Sequence, residues 1–233
     1  MGNFQYRIGS EMPASISEDH GINALSNADH EIYSVGVSTG GIAEMRMVAN
    51  NPARHVVATT IDATGLAFAR RLIEQNKLDD QIALRIEDVA QPLPYAEKTF
   101  DYIYARLVLH YLSKQQLPGA LDELYRVTKP NGRLFAVVRS TESHDMHRPS
   151  ASTDPGTMFT SYTFDDPSTG HPKTVQRYFH TPESITGYLQ NSGFTINHVR
   201  TYQEQIYVDF ERQHLASEPD NVIEVLAVKS SVN

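Results

Sequence analysis

An α/β fold, with a mainly parallel sheet covered by helices on both faces, is what this sequence predicts. Three observations carry that expectation. Short apolar runs rich in β-branched and aromatic residues alternate with segments of helical period. The runs are continuous rather than alternating, as in strands buried on both faces. A glycine-rich turn follows the first run, in a β-α-β unit whose second run ends near an acid.

That opening unit spans Glu31 to Asp62. Ile32 to Val37 reads as a strand, and a loop with Gly36, Ser38, Gly40 and Gly41 follows it. The helical segment Ile42 to Ala49 is stopped by Asn50, Asn51 and Pro52, because proline cannot continue a helix and restricts the residue before it. Val56 to Ile61 is the second strand. Backbone amides at such a glycine turn can face a ligand, and Asp62 lies where a ribose could be bound. With Ser38 between Gly36 and Gly40, the turn is not the dinucleotide fingerprint G-x-G-x-x-G.

The later elements follow in order. Leu66, Ala69, Leu72 and Ile73 share one helical face, which predicts a helix over residues 63–77. Gln81 to Ile86 is a third strand, Val89 to Lys98 a loop with two prolines, and Phe100 to Leu109 a fourth strand. Ser113 and Gln116 form a capping-box pattern ahead of Leu117, Leu121 and Leu124, a helix to about Val127. After a turn at Pro130-Asn131-Gly132, Leu134 to Val138 is a buried strand. Residues 140–174 are polar and long for a structureless loop, within which Met158 to Phe164 can pair with Val175 to Phe179. Thr181-Pro182-Glu183 starts a helix that Gly193 ends, and Phe194 to Val208 with Val222 to Val228 form an edge hairpin.

Composition bounds the function. The chain has 233 residues, enough for one large domain, here 31–233, with 140–180 a cap or insertion over the site. Residues 1–30 form a polar N-terminal segment, partly disordered or closing the site, without an apolar signal core. A formal charge of -8 argues against nucleic-acid binding, and no apolar run is long enough to span a membrane. With 0 cysteines, thiolate metal sites and cysteine nucleophiles are excluded. A cytoplasmic location is the default expectation.

Several side chains are candidates for chemistry, because ligands on such sheets sit at the carboxyl ends of the strands. His110 and Tyr111 close the fourth strand there, and a histidine can take a proton near neutral pH. Arg139 and Ser140 end the fifth strand, and Tyr178 and His180 precede the later helix. An arginine among tyrosines suits a carboxylate or phenolate substrate. Arg106 either faces a cofactor or is a paired structural arginine. His144, Asp145 and His147 read as solvated side chains rather than a metal site, since no third ligand is in view. Tyr202, Gln205, Tyr207 and Phe210 read as sheet packing.

Glu87-Asp88-Val89 with Pro92-Leu93-Pro94-Tyr95, the run Thr99 to Leu112 and the run Leu124 to Leu134 resemble, in order and spacing, the third to fifth strands of class I S-adenosylmethionine-dependent methyltransferases. The resemblance covers residues 31–140 well and 175–229 in outline. It implies a seven-stranded Rossmann-like sheet with one antiparallel strand near its edge. It also implies S-adenosylmethionine as cofactor and a small-molecule methyl acceptor. Asp88 then resembles the acid that accepts from the adenine amino group, with the Val89 backbone beside the ring. Gly36, Ser38 and Gly40 correspond to the cofactor loop, and His110 is the candidate base.

The opening unit departs from that family. Its first loop usually reads Asp-x-Gly-x-Gly-x-Gly, and here Ser34 replaces the acid and Ser38 the middle glycine. Counting back from Ala69-Arg70-Arg71-Leu72, Thr60 stands where the family has its ribose-binding acid, with Asp62 two residues on. These departures favour weak cofactor binding, which the double replacement Ser34→Asp with Thr60→Asp is expected to tighten. They also leave open a non-catalytic partner subunit, or an enzyme using this fold for a reaction other than methyl transfer.

Overall fold

A computed structural model describes residues 15–37, 39–49, 51–166, 169–207, 215–216 and 218–231. Its main sheet has seven strands in the order β3-β2-β1-β4-β5-β10-β9. These are β1 Glu31–Val35, β2 His55–Thr60, β3 Ile82–Ile86, β4 Phe100–Arg106, β5 Thr128–Arg139, β9 Thr195–Glu204 and β10 Asp220–Val228. The first five run parallel, and β10 is antiparallel to both β5 and β9. The fold is therefore the Rossmann-like sheet that the resemblance implied.

Alternate residues of the central strands feed two cores. Tyr33, Ile103, Ala105, Leu134 and Ala136 pack with Leu117, Leu121 and Leu124 of helix α4, Gln116–Val127, and with Ile185 and Leu189 of helix α5, Pro182–Asn191. Ile32, Tyr102, Tyr104 and Phe135 pack on the other face, with Met45 and Met47 of α2, Ile42–Val48, and Leu72 and Ile73 of α3, Ala63–Gln75. Thr181 and Ser184 form a capping box with Pro182 in the first turn of α5, so that start is set by local chemistry.

Boundaries shift in three places. The strand expected to reach Leu109 stops at Arg106, and Leu109–Tyr111 is a 3₁₀ turn. The expected turn at Pro130-Asn131-Gly132 is a bulge inside β5, with Asn131 at φ 64 and the register against β4 shifted there. Ser113 does exchange bonds with Gln116 (3.0 and 3.3 Å), but the regular helix begins only at Gln116.

The N-terminal segment contributes a helix that the sequence did not announce, α1 Ile16–Asn23. It lies so close to the sheet that a Cβ on Gly21 would stand 2.5 Å from the Tyr104 ring, and the Tyr102 hydroxyl donates to the Gly21 carbonyl at 2.7 Å. Arg46 ties it to α2 through Glu18 and Asp19 at 2.9 and 2.6 Å.

Residues 140–180 build a second, three-stranded sheet of β6 Ser152–Thr153, β7 Phe159–Asp165 and β8 Pro172–Tyr178. It meets the main domain at the carboxyl ends of β4 and β5. Ser140 and His180 form a bridge, Lys114 donates to the Thr157 carbonyl at 2.9 Å, and Arg177 donates to the Tyr111 hydroxyl at 3.2 Å.

Candidate functional site

Two adjoining regions lie along the carboxyl ends of the parallel strands. The first is built by the ends of β1, β2 and β3. Gly36 has φ 75, and a Cβ there would stand 3.0 Å from the Val108 side chain, so the backbone takes a path that only glycine follows without strain. Gly40 also has positive φ, at 68. Ser38 lies outside the described residues.

Ser34 is buried, and its hydroxyl donates to the Glu44 carboxylate at 2.6 Å. Glu44 is itself fully buried on α2. The carboxylate missing from the end of β1 is thus present beside it, carried by the following helix. Sequence reading missed this. A glutamate between Ala43 and Met45 on the buried side of a short helix was the available signal.

At the end of β2 the acid is not replaced in this way. The Asp62 amide donates to the Thr60 hydroxyl at 3.1 Å, and Asp62 caps α3 by accepting from the Thr64 amide at 2.9 Å. Asp62 therefore caps α3 through one of its two carboxylate oxygens. On the next strand end, Asp88 is exposed and held by an Asx turn, accepting from the Ala90 amide at 2.9 Å, while Val89 is buried. Glu87 accepts from the Tyr33 and Tyr95 hydroxyls at 2.9 and 2.6 Å. Ile61 and Ile86, 75% and 56% exposed, follow and end neighbouring strands and offer apolar surface to a flat ring. Neither had been singled out from the sequence.

Arg106 does not serve this region. Its guanidinium donates to Ser17 at 2.6 Å and Ser15 at 2.5 Å and pairs with buried Glu204 at 3.2 Å, so it locks α1 and β9 to β4. The structural alternative for Arg106 is the one observed.

The second region joins β4, β5 and the small sheet. His110 is buried in the 3₁₀ turn, and burial together with Arg177 and Arg139 pushes its pKa well below the ordinary value. It is neutral near pH 7. His180 is also buried, which pushes its pKa down to about 4. Tyr111 is half exposed; burial of its hydroxyl end would raise its pKa, but the cations Arg177 and Arg139 hold it below the usual value. Burial, with Arg177 beside it, lowers Arg139 to about 10. Arg139 contacts Asp220 directly and lies 4.0 Å from Asp145. Tyr178 stacks near His180, ring centroids 4.1 Å apart, with its hydroxyl on Tyr188.

The structure brings His110, Tyr111, Arg139, Tyr178 and His180 together, and adds Arg177, which the sequence reading passed over. Asp145 is taken by Arg148 at 2.6 Å and the Tyr162 hydroxyl at 2.7 Å, and His147 by the Thr141 carbonyl at 3.1 Å. These side chains tie the small sheet down. Tyr202 donates to Glu224 at 2.6 Å within the sheet, while Phe210 lies outside the described residues.

Burial of His180 has a testable consequence. Between pH 6.5 and about 4 the unfolded chain binds a proton there that the folded chain refuses, so stability is full above 6.5 and falls by about 3 kcal/mol as pH drops to 4. His180→Gln should lose less stability than the native protein over that window in denaturant titrations. Parallel curves would remove His180 as a cause.

Residues 34–136 match the family described as "Methyltransferase domain". Over those residues, under half of the chain, the sequence is similar to that family, and the seven-stranded sheet described above has the fold of such domains. The family's cofactor is S-adenosylmethionine. Over 102 residues the chain is 33% identical to a malonyl-[acyl-carrier protein] O-methyltransferase of Pectobacterium atrosepticum, a match covering 44% of this chain and 36% of that protein. The chain spans about a third to a half of the length of the curated relatives it matches. A solved S-adenosylmethionine-dependent methyltransferase of Methanosarcina mazei has a TM-score of 0.71 at 17% identity, covering 90% of this chain and 96% of that one. A [4+2]-cyclase has a TM-score of 0.63 at 18% identity, covering 92% and 81%. These solved structures share the methyltransferase domain's fold. Among the described residues no helix is long and apolar enough to cross a membrane.

Proposed function

We propose that this chain is a cytoplasmic methyltransferase that moves the methyl group of S-adenosylmethionine to a small-molecule acceptor, not to nucleic acid. The observation that carries the proposal is the buried Ser34–Glu44 pair, because it returns a carboxylate to the glycine turn where the sequence alone showed a loss. When bound, the cofactor supplies an electrophilic methyl on a sulfonium. The turn at Gly36 and Gly40 approaches it with bare backbone, Glu44 sets the local charge, Ile61 and Ile86 offer an apolar bed, and Asp88 with the Val89 backbone meets the adenine end. Residues 140–180 cap the acceptor side, where His110, Tyr111, Arg139, Tyr178 and His180 gather. Their part is to align the acceptor and exclude water, which is most of what an in-line displacement requires.

Calorimetry with S-adenosylmethionine and S-adenosylhomocysteine is the direct test, with micromolar binding of both as the expected result. Asp88→Ala should weaken both about ten- to hundredfold, since a charge-assisted hydrogen bond contributes roughly 1.5–3 kcal/mol. Equal affinity in that variant would take Asp88 out of the site.

A second reading has its own support. With Thr60 neutral and Asp62 engaged as the cap of α3, no carboxylate stands on β2 itself at the ribose end. A non-catalytic partner subunit, or an enzyme of another reaction class, needs no such acid. Cofactor binding without label transfer from methyl-tritiated S-adenosylmethionine would favour it.

A further inference from the structure

We infer that the acceptor presents a carboxylate to Arg139 and Arg177 and is methylated on that carboxylate's oxygen, an inference that rests on the methyltransferase reading. The two guanidiniums stand together, 4.0 and 3.8 Å from the same Asp145 oxygen, one at the end of β5 and one on β8. Each is left with a buried Nε that has no hydrogen-bond partner among the described residues, and so are Nδ1 of His110 and Nε2 of His180. Buried polar groups are nearly always hydrogen-bonded, so four unpartnered nitrogens in one region mark a place where a ligand with acceptor atoms completes the bonding.

Charge says which ligand. Arg139, Arg148 and Arg177 face Asp145 and Asp220, while nearby Arg106 is matched by Glu204 and Lys173 by Asp166. Among the described residues, one guanidinium charge is left without a carboxylate of its own. An acceptor carrying a cation would be repelled. An alcohol or phenol would have to give its proton to His110 or His180, placing another positive charge beside two arginines in a buried site. A carboxylate, with an ordinary pKa of about 4, arrives already ionised and supplies the missing charge.

The chemistry then balances without a protein base. A carboxylate oxygen forms the new bond to the methyl carbon while the methyl–sulfur bond breaks and its electron pair stays on sulfur. The negative acceptor and the positive sulfonium become a neutral ester and a neutral thioether, and no proton moves. The ester no longer answers the guanidinium charge, which favours its release. Neutral His110 and His180 act as hydrogen-bonding walls of the site.

The test uses methyl-tritiated S-adenosylmethionine, the full chain and a small-molecule extract of the cells that make it. Mild alkali converts a carboxyl methyl ester to volatile methanol, whereas ethers, methylamines and carbon-bound methyls survive. Volatile label after alkali is the expected result, and alkali-stable label overturns the inference while leaving the methyltransferase reading intact. No incorporation, with cofactor binding confirmed by calorimetry, overturns that reading and this inference with it. Arg177→Gln and Arg177→Lys, on the edge strand of the small sheet, should raise the acceptor KM roughly ten- to hundredfold with cofactor affinity unchanged. An unchanged KM in a variant that still binds the cofactor would remove Arg177 from the acceptor site.

Discussion

Glu204→Ala should destabilise the protein by about 3–5 kcal/mol, the largest loss expected from any single truncation outside the hydrophobic cores. Glu204 is fully buried at the end of β9 and accepts from the Ser17 amide and hydroxyl at 2.8 and 2.7 Å, as well as pairing with Arg106 at 3.2 Å. Its removal leaves a nearly buried guanidinium without its carboxylate and α1 without its anchor. Glu204→Gln offers little relief, because one carboxylate oxygen becomes an amide that faces the Ser17 donor. Arg106→Leu combined with Glu204→Ala removes both charges, and replacing a buried pair by apolar groups is often nearly neutral. The double variant should therefore recover much of what the single one loses. Denaturant unfolding of the set measures the coupling; additive losses would show that Arg106 and Glu204 do not act as a pair.

This pair also shows why the fold was more legible than the site. The strands, α3, α4 and α5 are written in local signals: apolar runs, helical spacing, and the Thr181-Pro182 start, whose partner Ser184 is three residues away. The seven-stranded sheet with one antiparallel strand near its edge came from the resemblance, and the observed sheet agrees with it. Site roles depend on partners far along the chain. Arg106 lies 98 residues from Glu204, and Arg177 reaches Tyr111 across 66. No periodicity reports such meetings, so Arg106 read equally as a cofactor ligand and as a structural cation, and Arg177 was passed over. Asp62 is ambiguous for a different reason. An acid after a strand in an α/β unit can bind a ribose or cap the next helix, and two residues of spacing separate the roles. His110, Tyr111, Arg139, Tyr178 and His180 could be gathered because each stands at a strand's carboxyl end or just past it, a position the topology alone specifies.

The glycine turn supplies the sharper reversal. From the sequence, Ser34→Asp together with Thr60→Asp restores both family acids and should tighten cofactor binding. The structure predicts the opposite for Ser34→Asp alone. Glu44 already places a buried carboxylate 2.6 Å from the Ser34 hydroxyl, so an aspartate there would set two carboxylates within hydrogen-bond distance, where both cannot ionise. One must hold a proton in the folded state, raising its folded pKa above the unfolded value. The folded form is then at its least penalised at low pH and loses stability as pH rises through the raised value. Ser34→Asp should be only mildly impaired at pH 5 and destabilised by about 3–5 kcal/mol at pH 8, the cost of a buried charge without compensation. Cofactor affinity should fall with it. Adding Glu44→Gln leaves one carboxylate at the turn, now on the strand, and should restore both stability and affinity. Thermal unfolding at the two pH values and calorimetry on the three proteins decide the matter. A Ser34→Asp variant that binds S-adenosylmethionine more tightly than the native chain would mean that Glu44 is not standing in for the missing acid.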